Sequence, residues 1–206
     1  QWFCLLTESC VPIVSPKKFR RLFNHTYNRS ILAWRKAWWN VNFHRRANLR
    51  YFQENMRLGH DPWFVLKRND VLRCISYSLT NKRLYNLICQ GGLANESLFA
   101  IILYQNKKLQ EAINQSTHLT DWSNPSSATS PYVFDKGSDK EINLIKTSIS
   151  QNKYLMFMRK ISNTFPDKKL KNIIRENDDS FFELYFNYSY ILLIIAALST
   201  LIVILN

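Results

Sequence analysis

The four histidines change charge nearest to neutral pH, so they are the first candidates for acid–base or metal chemistry. They stand at His25, His44, His60 and His118. No histidine lies four residues from another, and no cysteine or carboxylate accompanies one at a spacing typical of zinc ligands. The sequence therefore predicts no metal site and no cofactor.

Motifs that mark a catalytic nucleophile or a phosphate-binding loop are missing from the sequence. Neither G-x-S-x-G nor G-x-G-x-x-G nor a P-loop occurs. Gly91 and Gly92 follow a helical pattern and indicate the end of a helix. Asp178 and Asp179 are adjacent, and neighbours on a helix point about 100° apart, so they form no catalytic pair. We therefore expect no catalytic residues and a protein that is not an enzyme.

Basic residues are concentrated in the first third of the chain. The formal net charge is +13, and residues 1–73 contain fourteen Lys or Arg residues against four acidic ones. Such an excess favours an anionic partner, which could be acidic lipid, an acidic protein surface or nucleic acid. The residues predicted to meet this anionic surface are Lys17, Lys18, Arg20, Arg21, Arg35, Lys36, Arg45 and Arg46.

The segment of residues 31–46, ILAWRKAWWNVNFHRR, must position half of these basic side chains. Tyr27, Ile31, Trp34, Trp38 and Val41 recur every three or four residues, which predicts one face of a helix. Packing of that face against other helices is the favoured interpretation. A nucleic-acid surface or a helix lying on a membrane are the alternatives.

Helical periodicity continues downstream, so the predicted fold class is mostly α. A helix is predicted from Asp70 with Val71, Leu72, Ile75 and Leu79 facing inward, and another from Thr80 to Gly91. A fourth helix is predicted over residues 95–115. Ser138 and Glu141 form a capping-box motif for a helix reaching residue 161, and a short helix is predicted over 167–176. The residues predicted to pack against partner helices are Trp34, Trp38, Val41, Leu98, Ile102 and Leu109.

The end of the chain is the most apolar part of the sequence. Residues 191–205 carry no charge, and with the preceding tyrosines they reach the length of a membrane-spanning helix. The predicted anchor includes Tyr190, Ile191 and Leu205. The predicted organisation is a basic arm (1–26), a basic aromatic-rich helical domain (27–115), a Ser/Pro-rich linker (116–137), a helical segment (138–180) and a transmembrane anchor (181–206).

These features together predict a non-catalytic, membrane-anchored accessory subunit of a large multi-protein membrane complex. Its expected partners are other subunits, the lipid bilayer and anionic lipid. The bulk of the chain would lie on the cytosolic or matrix side of the membrane. A basic chain that begins at Gln1 fits a processed protein of an organellar inner membrane, such as the mitochondrial one, of a respiratory or ATP-synthase type.

Two other functions remain open from the sequence. One is a membrane-tethered protein that binds RNA, DNA or the ribosome, for which nucleic acid is the weaker of the anionic partners. The other is a glycosylated single-pass surface protein, because five N-x-S/T sequons occur, at Asn24, Asn28, Asn95, Asn114 and Asn187. The four cysteines are expected to be unpaired thiols, with two disulfides as the alternative.

Overall fold

The computed structural model describes residues 1–25 and 29–178, and these residues form a mixed α/β fold rather than a mostly helical one. The strands are β1 (Trp2–Cys4), β2 (Val11–Pro12), β3 (Trp34–Lys36), β4 (Leu58–His60), β5 (Val65–Lys67), β6 (His118–Leu119) and β7 (Phe157–Met158). The helices are α1 (Pro16–His25), α2 (Arg68–Thr80), α3 (Lys82–Cys89), α4 (Leu98–Gln105), α5 (Asp139–Gln151) and α6 (residues 167–178).

The described strands form three small sheets that join distant parts of the chain. β1 pairs antiparallel with β5, and β3 pairs antiparallel with β4. β7 lies between β2, to which it is antiparallel, and β6, to which it is parallel. These pairings connect residues far apart in sequence, and local helical periodicity cannot report them.

The helix predicted to begin near Tyr27 and to contain Trp34 and Trp38 is wrong. Trp34, Arg35 and Lys36 form β3, opposite His60, Gly59 and Leu58 of β4. On the outer edge of β3, the Asn114 side chain replaces a strand partner. Its Oδ1 accepts from the Trp34 N–H at 2.8 Å, and its Nδ2 donates to the Trp34 carbonyl at 2.9 Å.

The helix predicted from Asp70 exists as α2, but its predicted inward face is wrong. Leu72, Ile75 and Leu79 are 49%, 57% and 78% exposed, whereas Asp70, Cys74 and Tyr77 face the protein. Buried Asp70 is stabilised by Ser30, whose Oγ donates to Asp70 Oδ2 at 2.5 Å. This polar contact, across forty residues of sequence, fixes which side of α2 is buried.

One predicted helix start and one predicted helix end are confirmed, whereas two helices are shorter than predicted. The Ser138–Glu141 capping box is present, with both reciprocal hydrogen bonds. α3 ends before Gly91, as expected. The helix predicted over 95–115 is α4 alone, and the one predicted to reach residue 161 ends at Gln151, because β7 follows.

The largest hydrophobic core packs α3 and α4 against the segment of residues 32–66. Ile102 and Leu109, which were predicted to pack against a partner protein, are buried within the chain itself, while Leu98, Trp34 and Val41 are half-buried against this core. A second core packs α5 and α6 against β6 and β7. The four cysteines are all free thiols.

No helix within residues 1–25 and 29–178 combines the length and the apolar character needed to cross a bilayer. The anchor predicted for 181–206, with Tyr190, Ile191 and Leu205, lies outside the described residues.

Two irregular turns dock against each other beside the larger core. Ala47 and Asn48 have positive φ angles of 49° and 53°, and their backbone lies on the Gly91–Gly92 turn. The Ala47 N–H donates to the Gly92 carbonyl at 2.8 Å. A Cβ atom at Gly91 would lie 2.4 Å from the Asn48 backbone nitrogen, so only glycine allows this close approach.

Substitution of Gly91 tests whether this docking is required for folding. Gly91→Ala should lower the free energy of unfolding by about 1–3 kcal/mol, because the added methyl group meets backbone atoms that cannot move aside easily. Gly92→Ala is the matched control, since a Cβ there meets no atom within 4 Å. Its unfolding free energy should stay within about 0.5 kcal/mol of wild type. Urea denaturation measures both, and equal effects of the two variants would contradict the proposed contact.

Candidate functional site

The antiparallel pair of β3 and β4 forms one wall of a surface cleft of about 300 Å³. The Asp61 N–H donates to the Ala33 carbonyl at 2.9 Å, which fixes the residue after β4 beside the start of β3. The cleft is lined by Ala33, Trp34, Arg35, Trp38, Asp61 and Asn114. It therefore combines a cationic side chain, a carboxylate and aromatic rings.

The Asp61 carboxyl is held in a partly buried position. Burial raises its pKa, while a hydrogen bond from Ser116 and the positive charge of Arg35 lower it. Burial is the strongest of these effects, so the pKa of Asp61 lies above that of an ordinary aspartate.

Glu96 is the second carboxyl of the site, and the docked turns described above bring it to its partner. Arg46 immediately precedes the Ala47–Asn48 turn, and Glu96 lies in the short 3₁₀ helix that follows Gly91–Gly92. Arg46 Nη1 lies 3.2 Å from Glu96 Oε2, with 33% and 20% of the two side chains exposed. The ion pair joins residues fifty positions apart in sequence and thus depends on the contact between the two turns.

The pKa of Glu96 is raised above its usual value. Burial is the main cause, Arg46 acts against it, and the negative charge of Asp61 raises the pKa further. A half-buried carboxyl whose pKa is raised by burial and by a neighbouring negative charge accepts a proton at a higher pH than an exposed glutamate does. Glu96 is accordingly the best general-base candidate among the described residues.

An aromatic pair in the segment that follows β3 lies next to the two arginines. The Trp38 and Trp39 rings meet edge to face with centroids 4.8 Å apart. Both cover Gly59, where a Cβ would lie 2.7 Å from Trp38 and 3.0 Å from Trp39. The Arg35 guanidinium lies 4.5 Å from the Trp38 ring and that of Arg46 lies 5.3 Å from the Trp39 ring. Trp38 remains 45% exposed, so its ring is available to a ligand.

His60 supports this site from inside the core. It is completely buried, and desolvation lowers its pKa to about 4, so the imidazole is neutral at physiological pH. Its Nδ1 donates to the Asp61 carbonyl at 2.7 Å. Its ring packs against Phe64 and Phe99. We assign it a role in holding Asp61, not a role in proton transfer.

His118 is also buried and neutral, with its pKa lowered to about 3 by burial and by the charge of Arg159. It stacks on Phe157 with ring centroids 4.9 Å apart. Within residues 1–25 and 29–178, no three His, Cys, Asp or Glu side chains cluster closely enough to hold a metal ion.

The structure separates the predicted anionic-surface residues into two groups. Arg35 and Arg46 lie at the site just described, and Lys36 and Arg45 are their exposed neighbours. Lys17, Lys18, Arg20 and Arg21 lie on α1, which packs through Phe19 and Phe23 on Trp2 and Phe157 in another hydrophobic cluster. Lys18 Nζ donates to the Asn177 carbonyl at 3.0 Å. Binding of an anionic surface by these residues stays a prediction.

Asp61 and Glu96 were not identified as site residues from the sequence. In the sequence, Glu96 is only the middle residue of the Asn95 sequon, and no motif includes Asp61. The signal that could have drawn attention to Glu96 is its position between a Gly-Gly turn and a strongly apolar helix, α4.

A model of the family described as "Branch: Core-2/I-Branching enzyme" matches residues 1–146. No curated protein matches the chain. Because the family match covers well over half of the chain and includes Arg35, Arg46, Asp61 and Glu96, the chain belongs to the Core-2/I-branching enzyme family.

This family membership corrects the functional prediction. Core-2/I-branching enzymes are glycosyltransferases that transfer N-acetylglucosamine. The predictions of a non-catalytic accessory subunit and of a protein that is not an enzyme are therefore wrong, and nothing supports a subunit of a mitochondrial complex. No local sequence motif marks this site, because its two carboxyls are 35 residues apart in sequence.

The two groups facing Glu96 should shift its pKa in opposite directions. Arg46→Gln removes a positive charge, so the pKa of Glu96 should rise further. Asp61→Asn removes a negative charge, so the pKa of Glu96 should fall. Carboxyl ¹³C NMR titration with labelled glutamate measures both shifts. A pKa that moves in the same direction in the two variants, or in neither, would show that the three side chains do not form one electrostatic unit.

Proposed function

We propose that this chain transfers N-acetylglucosamine from an activated donor to a hydroxyl group of an acceptor sugar, with Glu96 as the general base. The observation that carries the proposal is the ion pair of Glu96 with Arg46, within electrostatic reach of Asp61, in a chain whose family consists of glycosyltransferases. A transferase of this kind needs a base for the acceptor, a positive charge for the leaving group and a surface for sugar rings. The described residues offer all three.

The base acts on the acceptor hydroxyl. As the hydroxyl oxygen attacks the anomeric carbon of the donor, its proton passes to the Glu96 carboxylate. The bond between the anomeric carbon and the leaving group breaks, and the leaving group departs with the electron pair. Glu96 then returns its proton to solvent. The raised pKa of Glu96 makes its carboxylate a stronger base than that of an exposed glutamate.

The arginines compensate the negative charge that develops on the leaving group. A donor sugar is activated by a phosphate ester, and guanidinium groups match phosphate oxygens in charge and geometry. Arg35 lines the cleft beside Asp61, and Arg46 lies at Glu96. Both are held against tryptophan rings, which limits their motion before the donor arrives.

The exposed face of Trp38 provides a surface for a sugar ring. Aromatic side chains combine a large apolar area with few rotatable bonds, and a pyranose ring presents a face of C–H groups of similar size. Trp38 lines the same cleft as Asp61 and Asn114, whose polar groups can bind sugar hydroxyls.

Removal of the Glu96 carboxylate tests the assigned base. Glu96→Gln should lower kcat for N-acetylglucosamine transfer by about 10²–10⁴-fold, because the amide cannot take up the acceptor proton. Glu54→Gln is the matched control. It makes the same change at a glutamate whose side chain is 79% exposed, and activity should be unchanged. Steady-state assays with a nucleotide-activated N-acetylglucosamine and a panel of galactoside acceptors measure the effect. Wild-type kcat in Glu96→Gln would rule out this base.

Removal of the Trp38 ring tests the acceptor surface. Trp38→Ala should raise the KM for the acceptor about tenfold with little change in kcat, because ring stacking binds substrate and transition state alike. Trp122→Ala is the control, since Trp122 is 53% exposed but lies outside the cleft lining. An effect confined to the donor KM, or equal effects of the two substitutions, would contradict the assignment.

A further inference from the structure

The outward face of α2 presents apolar side chains that neither the hydrophobic cores nor the candidate site uses. Leu72, Ile75 and Leu79 are 49%, 57% and 78% exposed. They follow one another at spacings of three and four residues, so they form a single line along the helix, named here the α2 stripe. The opposite side of α2 is buried against the protein. The helix is therefore apolar on its solvent side as well, which is typical of a surface that contacts a partner.

Basic side chains stand at both ends of the α2 stripe. Arg68 lies four residues before its first member, on the same side of the helix, whereas Lys82 and Arg83 lie three and four residues after its last member. All three are exposed. Asp70 is buried and already ion-paired, and no acidic residue occurs in residues 71–95. The stripe is thus flanked by positive charge that no neighbouring carboxylate in the sequence compensates.

A surface groove of about 370 Å³ continues the same chemistry from the end of the α2 stripe. It is lined by Thr80, Asn81, Lys82, Arg83, Leu84 and Leu87. The two leucines provide an apolar wall, and the two basic residues provide positive charge beside it. An amphiphile with an apolar chain and an anionic head group matches both parts of this lining.

We propose that the α2 stripe and the adjoining groove bind the surface of a bilayer that contains anionic phospholipid. The three apolar side chains of the stripe enter the boundary between head groups and acyl chains, and the basic side chains at its two ends contact lipid phosphates. A lipid surface offers both kinds of contact at once. The formal net charge of +13 adds long-range attraction to an anionic membrane.

Tryptophan fluorescence in the presence of brominated lipids tests this contact locally, in the intact chain. Leu79→Trp places a reporter at the most exposed position of the α2 stripe. Its added fluorescence, taken relative to wild type, should fall about twofold with vesicles of brominated phosphatidylcholine and phosphatidylserine, because acyl-chain bromine quenches only at close range. Ser150→Trp is the matched control, since Ser150 is the exposed, penultimate residue of α5, as Leu79 is of α2. Its added fluorescence should stay unchanged.

Removal of two basic residues tests the contribution of charge to the same contact. In the Leu79→Trp protein, Lys82→Gln together with Arg83→Gln should raise the vesicle concentration for half-maximal quenching about tenfold, because both lose their attraction to anionic lipid. Lys136→Gln together with Lys140→Gln is the matched control. It removes the same charge from exposed residues near the start of α5 and should leave that concentration unchanged.

Four results would each overturn the proposal. The first three are no quenching of the Leu79→Trp reporter, equal quenching of the Ser150→Trp reporter, and equal quenching in vesicles that lack phosphatidylserine. The fourth is shielding of the Leu79→Trp reporter from acrylamide without vesicles, which would show that protein already covers the stripe. None of these readouts involves sugar transfer, so the result does not depend on the proposed function.

Discussion

The close approach of the Ala47–Asn48 turn to the Gly91–Gly92 turn is the constraint on which the candidate site depends. This contact places backbone against backbone, so it tolerates no side chain at Gly91. Arg46 immediately precedes the first turn and Glu96 follows the second. The contact between the turns therefore brings the two charged residues together as the ion pair of the site. Two residues of opposite charge are thereby held next to turns that are joined to each other through their backbones.

The antiparallel pair of β3 and β4 provides the second half of the site. It places Arg35 and Asp61 next to each other, and its single glycine, opposite Arg35, lets both tryptophan rings approach the backbone closely. The buried, neutral His60 ring holds the Asp61 backbone through a hydrogen bond to its carbonyl. Each arginine therefore has a carboxylate and a tryptophan ring within interaction range. This arrangement limits side-chain motion and suits a site that must stabilise charge during transfer.

Local signals in the sequence predicted local structure well. The capping box at Ser138 and the helix end at Gly91 depend on residues within a few positions, and both are confirmed. Trp34–Lys36 was assigned to a helix because apolar residues happened to recur every three or four positions, whereas its partners lie on β4 and at Asn114. The buried face of α2 was misassigned because a polar residue, Asp70, is buried through its contact with Ser30. The site likewise depends on a contact between residues far apart in sequence. The sequence indicates Arg46 by its charge, but its pairing with Glu96 is visible only in three dimensions.

The most direct test of the account is the dependence of kcat/KM for N-acetylglucosamine transfer on pH, compared between wild type and Arg46→Gln. A general base must be deprotonated, so activity should rise with pH through the pKa of Glu96. Because Arg46 lowers that pKa, its removal should move the acidic limb of the profile to higher pH. A limb that moves in this direction would identify Glu96 as the base. A limb that stays at the same pH in both proteins, or a profile without an acidic limb, would contradict the role assigned to Glu96.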